Sequence, residues 1–371
     1  MNATRRLFDD TIVSRGIQRD KLLVFMGQTL SEPIVDKKSS RDHNDRFAYG
    51  ASAMQGWRLT MEDAHTTLLK LDDTDASFFG VYDGHGGATI AQYTGQSLHK
   101  KIRGSQYFDQ KEYKKALKDG FLSIDRELSE DSNFAYDPSG CTAVTALITP
   151  DNRVLVANAG DSRSVISVKG KSKALSYDHK PVDRAESQRI IAAGGFVEFG
   201  RVNGNLALSR AIGDFEFKQN DSLPQEEQVV TCNPDIIEHP LTDDDEFLIL
   251  ACDGIWDCMT NQQAVDFVRE ELANKTPLDE ICELMMDHCL APDTEVGGLG
   301  CDNMSIIIVG ILNGKTMDEW YNWIASRVSS DKPKVDALGN NIVSSNVEAE
   351  EEREEQHQEI LETTPIQEKH A

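Results

Sequence analysis

Short apolar segments alternate with turn residues along the chain from Tyr49 to Leu312. Each segment is rich in β-branched or aromatic residues and is bounded by Gly, Asp or Asn, which is typical of β-strands. The pattern predicts strands at residues 77–82, 141–148, 153–158, 163–168, 229–237, 246–252 and 304–312. Because strands outnumber helices and hairpins are expected between them, the pattern favours an α+β fold over a parallel βαβ array.

Several helices are marked by residues that favour a helix start. Thr260 with Gln263, and Thr316 with Glu319, have the spacing of a capping box ahead of apolar residues. Asp183 is a further candidate cap, for a helix that ends before the glycine pair at 194–195.

The change of pattern along the chain predicts four regions. Residues 1–44 are expected to form a largely flexible N-terminal extension, 45–312 the main folded domain, and 313–330 a C-terminal helix. Residues 331–371 are rich in Ser, Asn and then Glu, and are expected to be a disordered acidic tail. We expect the tail to keep the chain soluble, although contact with basic partners is the alternative.

The charge of the chain excludes some classes of partner. The net charge is −25 and the sequence pI is about 4.7, so generic binding to a nucleic-acid backbone is not expected. The longest apolar run, residues 306–312, is too short to span a bilayer. Gly27 would fit a myristoylation motif only if translation started at Met26. A monomer in the cytoplasm and nucleus is expected.

The seven cysteines suggest a reducing compartment. Their number is odd and no Cys-x-x-Cys pair occurs, so buried free thiols are expected rather than disulfides. A cysteine phosphatase would need a Cys followed after five residues by an Arg, and none of the seven has that spacing. The Gly170-Lys171-Ser172 string lacks the first glycine of a nucleotide-binding P-loop and is expected to be a hairpin turn.

Carboxylates follow the ends of several predicted strands. Asp83, Asp161 and Asp253 come directly or almost directly after an apolar run, and Asp302 immediately precedes one. Any one of these is an ordinary turn residue, but strand ends from distant parts of a sequence meet in space. Clustered carboxylates repel one another unless a cation is bound or their pKa values are raised. Oxygen ligands alone select hard ions such as Mg²⁺ or Mn²⁺.

A second polar segment lies upstream, at residues 57–65. If it were a strand, Arg58, Thr60 and Glu62 would share one face. Arg58 could then bind a phosphate with two parallel hydrogen bonds while Glu62 approached a metal-bound water. The alternative is a ladder of surface salt bridges.

Eight strings in this chain resemble the metal-dependent protein phosphatases of type 2C, in the family's order and over about residues 47–312. They lie at residues 56–65, 79–87, 139–143, 158–163, 178–181, 206–214, 251–257 and 302–305. Within the family the chain is most similar to fungal forms that act on stress-pathway MAP kinases.

The resemblance implies a four-layer fold and a set of site residues. Two antiparallel β-sheets would be flanked by helices, with the metal centre at one end. Asp83 would bridge two Mg²⁺ or Mn²⁺ ions, the Gly84 carbonyl would complete one site, and Asp253 and Asp302 would hold the other ion. The remaining residues that match family positions are Glu62 and Asp63 for metal-bound waters, Asp161 and Asp257 for a weaker third ion, Arg58 for the phosphate, and His85 as general acid.

The implied function is hydrolysis of phosphoserine and phosphothreonine in proteins by a hydroxide that bridges the two cations. Phosphoproteins, MAP kinases among them, would be the substrates, and the enzyme would act as a negative regulator of kinase signalling. The non-enzymatic alternative is a pseudophosphatase that only binds phosphoproteins. Such a protein should lack some metal ligands, and this sequence keeps all of them.

Overall fold

The computed structural model describes residues 29–294 and 298–331. The proposed lipidation site Gly27 and nearly all of the predicted acidic tail lie outside the described residues. Every helix in the described part of the chain is too short or too polar to span a lipid bilayer.

The first of two large sheets has six antiparallel strands. In spatial order they are β1 (Thr29–His43), β2 (Phe47–Arg58), β16 (Met304–Ile311), β15 (Asp245–Ala251), β9 (Arg163–Val168) and β10 (Lys171–Ala174). The β9–β10 connection is a tight hairpin at residues 169–170, both with positive φ, as expected for the glycine-containing turn there.

The second large sheet has five antiparallel strands, and two small strand groups accompany it. The five are β14 (Asp235–Pro240), β8 (Arg153–Ala159), β7 (Ala143–Ile148), β4 (Ser77–Tyr82) and β3 (Ala64–Leu68). The small groups are β5 (Gly84–His85) with β6 (Gly140–Cys141) and β13 (Ile212–Gly213), and β11 (Val197–Glu198) with β12 (Arg201–Val202).

Seven α-helices are described. They are α1 (Thr89–Gly104), α2 (Tyr113–Glu130), α3 (Arg184–Ala192), the one-turn α4 (Asp253–Trp256), α5 (Asn261–Ala273), α6 (Leu278–Cys289) and α7 (Met317–Asp331). Two short 3₁₀ turns lie at Phe215–Phe217 and Gln225–Glu227.

Side chains alternate between the two faces of the five-stranded sheet, and each face packs against a separate apolar layer. On β4, Phe79 and Val81 pack against residues of the other sheet such as Leu250. Phe78 and Tyr82 point to the opposite side and pack in the cluster that contains helix residues of α1 and α2. Helices α5 and α6 contact the six-stranded sheet. The result is the expected α+β sandwich of four layers: helices, sheet, sheet, helices.

The predicted flexible extension 1–44 is wrong for its second part, because residues 29–43 form β1. This strand has mostly exposed side chains, so it lacks the alternating apolar pattern that would reveal it. It is held by backbone pairing with β2 and by ion pairs such as Lys37 with Asp287, whose Nζ–Oδ1 distance is 2.6 Å.

Other sequence predictions of elements are partly confirmed. Both capping boxes are present, at Thr260 and at Thr316. Helix α3 begins after Asp183 as predicted, but this carboxylate accepts the Lys180 backbone N–H instead of capping the helix. The predicted strand 229–237 begins only at residue 235, and β2 ends at residue 58, so the polar segment after it is not a strand.

Candidate metal centre between the sheets

Strand register brings the predicted carboxylates to one end of the sandwich. Ala251, the last residue of β15, lies opposite Ile306 near the start of β16, so Asp253 and Asp302 emerge side by side. In the other sheet, Val81 pairs with Val144, and Ala143 pairs with the last residue of β8. The residues that follow β4 and β8, which include Asp83 and Asp161, therefore leave the second sheet together. All four carboxylates line one cavity of about 480 Å³.

Glycine at position 254 allows the two acidic segments of the first sheet to touch. A Cβ on Gly254 would lie 2.1 Å from the Asn303 carbonyl oxygen, which no side chain could tolerate without a backbone shift. Helix α4, which begins at Asp253, therefore rests directly on the chain next to Asp302.

Asp83 is at the centre of the cluster. Burial and the charges of Asp253, Asp63 and Asp302 raise its pKa well above the usual range. Burial and the charges of Asp161 and Asp302 likewise raise the pKa of Asp253. Without an added cation, the folded chain therefore favours protonated carboxyl groups at this place.

Asp63 is buried beside Asp83. Neither of its carboxylate oxygens has a hydrogen-bond partner of good geometry among the described residues, although the Ser305 and Cys252 side chains lie close enough to oppose part of the rise in its pKa. Burial and the nearby Asp302 raise the pKa of Asp63 to about 7. An unpaired buried carboxyl group is costly unless a cation or water occupies the space beside it.

Two cationic side chains neutralise the rim of the cluster. Arg58 Nη2 lies 2.5 Å from Asp302 Oδ2, and Lys180 Nζ lies 2.6 Å from Asp161 Oδ2. No three His, Cys, Asp or Glu side chains among the described residues are close enough together to chelate an ion by themselves. Mg²⁺ commonly keeps several waters and takes only one or two protein carboxylates, so this open arrangement fits such an ion.

Glu62 is placed by backbone contacts and not by strand geometry. Its backbone N–H donates to Asn303 Oδ1 at 2.9 Å, and its carboxylate accepts from Thr60 Oγ1 at 2.8 Å and from the Gly87 N–H at 3.2 Å. The expectation that Arg58, Thr60 and Glu62 share a strand face is wrong, although Arg58 and Glu62 both line the cavity with Gly84.

Asp257, the predicted partner of Asp161 for a weaker third ion, lies near it at the edge of the cluster. Burial and the charge of Asp161 raise the pKa of Asp257, while Lys180 opposes the shift.

His85 is paired with an aspartate to which sequence reasoning gave no role. His85 Nε2 lies 2.8 Å from Asp214 Oδ2, and the Asp214 side chain is only 4% exposed. Burial lowers the pKa of His85, but the hydrogen bond and charge of Asp214 outweigh it, so the net shift is upward. The pair therefore favours a protonated imidazole at the cavity wall.

The small three-stranded sheet explains how these two residues meet. β6 runs between β5 and β13, with Gly140 opposite both His85 and Gly213. A Cβ on Gly140 would lie 2.3 Å from Asp214 Oδ2 and 2.8 Å from His85 Nε2, so only glycine leaves room for the pair. The Gly213 N–H also donates to Asp125 Oδ1 at 2.9 Å, which fixes the loop that carries Asp214.

Comparison with known proteins identifies this arrangement. The protein phosphatase 2C family matches residues 47–296, which is well over half of the chain. The chain belongs to the protein phosphatase 2C family. It is accordingly a protein serine/threonine phosphatase, and the dependence of type 2C phosphatases on Mg²⁺ or Mn²⁺ agrees with the oxygen-only cluster.

Individual relatives agree with that assignment. "Protein phosphatase 2C homolog 2" of Hypocrea jecorina is 55% identical over 82% of this chain and 72% of its own length. "Probable protein phosphatase 2C T23F11.1" of Caenorhabditis elegans is 55% identical over 80% of this chain and 83% of its own length. The solved structure of a phosphatase from Toxoplasma gondii is 29% identical, with a TM-score of 0.64 over 74% of this chain and 96% of that one. The type 2C fold expected from the sequence is confirmed.

Proposed function

We propose that this type 2C phosphatase hydrolyses phosphoserine and phosphothreonine in proteins with two divalent cations, Mg²⁺ or Mn²⁺, at the carboxylate cluster. Asp83, the Gly84 carbonyl, Asp253 and Asp302, which all line the cavity, would hold the two ions. Asp161 and Asp257 would hold a weaker third ion. The four carboxylates of Asp83, Asp161, Asp253 and Asp302 around one cavity are the observation that carries the proposal, because bound divalent cations would offset the burial and mutual repulsion that raise the pKa values of Asp83 and Asp253.

When bound, the ions would supply Lewis acidity and lower the pKa of the attacking water. Glu62 and Asp63 would orient water within the cavity by accepting hydrogen bonds. Arg58 lies on the cavity wall and can bind phosphate oxygens through its guanidinium, since its side chain is 45% exposed.

His85 would donate the proton that the departing serine or threonine oxygen requires. Its raised pKa keeps the imidazolium form available, and Asp214 fixes the orientation of the ring. Asp214 is a positioning residue, because it contacts His85 and not the phosphate.

The physiological substrates would be phosphorylated signalling kinases, including MAP kinases, which the enzyme would switch off as a monomer. This part of the proposal is supported by the resemblance to fungal forms of the family. Location in the cytoplasm and nucleus stays a prediction, with which the seven free thiols agree.

A peptide that contains both phosphothreonine and phosphotyrosine tests the proposal. We expect release of phosphate from phosphothreonine only, dependent on added Mn²⁺ or Mg²⁺ and abolished by EDTA, because the reaction requires the ions. In a separate sample, iodoacetamide should leave the rate unchanged after the same incubation time in which EDTA removes all activity. The measurement is phosphopeptide mass spectrometry over time.

The same assay separates the rival functions. Sensitivity to alkylation with indifference to EDTA would indicate a cysteine-dependent mechanism and overturn the proposal. Binding of the peptide with no phosphate release at saturating Mn²⁺ would indicate a pseudophosphatase.

A further inference from the structure

Three of the seven cysteines meet behind the carboxylate cluster. Cys258 follows the end of α4, Cys289 is the last residue of α6, and Cys301 precedes Asp302. The other four, at 141, 232, 252 and 282, are fully buried, and Cys252 directly precedes Asp253 with its Sγ accepting the Ser305 N–H. The grouping matters because Cys258 is five residues after Asp253 and Cys301 is next to Asp302.

The contacts select one pair within this group. Cys258 Sγ lies 3.6 Å from the Cys289 carbonyl oxygen, which places the two residues side by side. Interaction with the Cys289 thiol lowers the pKa of the Cys258 thiol. Cys301 Sγ is directed instead towards the carbonyl oxygens of Asp293 and Leu299, each at 3.8 Å.

One thiol of the pair can be reached by a small reagent. Cys258 is partly exposed, whereas Cys289 is only 6% exposed. A peroxide would therefore meet Cys258 first, with the second thiol already in contact to resolve the product.

The pair joins two segments that carry cluster residues. Cys258 lies two residues after the end of α4, the helix that begins at Asp253. Two residues after Cys289, the Ala291 N–H donates to the Gly300 carbonyl oxygen at 2.9 Å, in the segment that leads to Asp302. A disulfide requires the sulfur atoms to approach to about 2.05 Å, so closing one here would pull α4 and the end of α6 together.

We propose that Cys258 and Cys289 form a redox modification site, in which peroxide produces a reversible disulfide that weakens divalent cation binding at the carboxylate cluster. The cation part of this statement rests on the proposed function, whereas the disulfide itself does not. Cys258 loses its proton and attacks one peroxide oxygen, which gives a sulfenic acid and releases water. Cys289 then attacks the sulfenic sulfur, a second water leaves, and two thiols have been oxidised by one peroxide.

Peptide mapping of the full-length protein under non-reducing conditions tests the site. After treatment with hydrogen peroxide at a small molar excess, we expect a cross-linked peptide that contains Cys258 and Cys289 and is lighter by two hydrogen atoms than the two free peptides. Dithiothreitol should reverse it. Calorimetric titration with Mn²⁺ should then show affinity lower by about 10-fold or more in the oxidised protein, the usual size of an effect on residues that support metal ligands.

Single substitutions provide matched controls. Cys258→Ser and Cys289→Ala should each remove both the cross-link and the loss of Mn²⁺ affinity, and Cys301→Ser should retain both. Thermal denaturation checks that every variant is folded. A cross-link to Cys301, or sulfenic acid on Cys258 without a cross-link, would overturn the pair assignment.

Two further outcomes separate this inference from the proposed function. A Cys258–Cys289 cross-link with unchanged Mn²⁺ affinity would overturn the regulatory part. If the reduced protein bound no Mn²⁺ and released no phosphate, the proposed function would fail while the cross-link remained measurable.

Discussion

Asp83→Asn is expected to abolish metal-dependent phosphatase activity and, at the same time, to make the metal-free protein more stable. The loss of turnover should be about 10²–10³-fold or more, because the substitution removes the central charge that is proposed to hold the ions. The gain in stability of the metal-free protein comes from removing the same charge. The Asp83 carboxylate is buried among like charges, so an uncharged amide of the same shape relieves repulsion.

The size and pH dependence of the stability gain are also defined. A gain on the order of 1–3 kcal/mol is expected near neutral pH, which corresponds to several degrees in Tm. The raised pKa values of Asp63, Asp83 and Asp253 mean that the folded state holds more protons than the unfolded state above the ordinary carboxyl pKa. The free energy of unfolding of the metal-free wild type therefore falls as pH rises from about 4 to 7. The advantage of the variant should grow over this range.

Calorimetric or circular-dichroism melting in EDTA, paired with a phosphopeptide assay in Mn²⁺, measures both effects. Asp36→Asn, on the exposed strand β1, is the matched control that removes the same charge outside the cluster, and it should change neither quantity. If Asp83→Asn melted at a lower temperature than the wild type in EDTA, the electrostatic account would be contradicted.

His85→Gln is expected to lower kcat for phosphoserine and phosphothreonine peptides by about 10²–10⁴-fold. An alkoxide leaving group needs a proton, and His85 is the group at the cavity wall that holds one. With p-nitrophenyl phosphate, whose leaving group departs as a stable anion, the loss should be much smaller. His43→Gln, an exposed histidine at the end of β1, serves as the control for the chemical change.

Asp214→Asn separates positioning from proton donation. Asp214 raises the pKa of His85, so its replacement should move the alkaline fall of the pH–kcat profile to lower pH. The peptide rate near neutral pH should fall by less than in the His85 variant. An unchanged pH profile in Asp214→Asn, or equal losses on both substrates in His85→Gln, would remove His85 from the role of general acid.

The carboxylates that line the cavity could be predicted from the sequence because their signals are local. Asp83 and Asp253 each follow a strand that is visible as an apolar run. Antiparallel pairing of neighbouring strands then brings such strand ends together at one end of each sheet. Asp214 ends one of the family-like strings, but nothing in the sequence paired it with His85, because His85 is 129 positions away and their meeting depends on a small sheet of two-residue strands.

The elements that escaped prediction lack the usual start signals or apolar patterns. Helices α1 and α2 begin after Ala88 and Glu112, and neither residue makes a side-chain capping hydrogen bond. Strand β1 is polar on most positions and depends on pairing with β2. A strand from Arg58 to Glu62 is only a conditional prediction, and after β2 ends at Arg58 the chain is irregular, with the Glu62 N–H donating to Asn303 Oδ1.

Anomalous diffraction at the manganese absorption edge, from crystals grown with Mn²⁺, tests the central claim most directly. Two strong peaks are predicted inside the cavity, both beside Asp83, with Gly84 on one side and Asp253 and Asp302 on the other. Density for Mn²⁺ only on the outer acidic surface, with Asp83 and Asp63 contacting each other through a shared proton, would contradict the account.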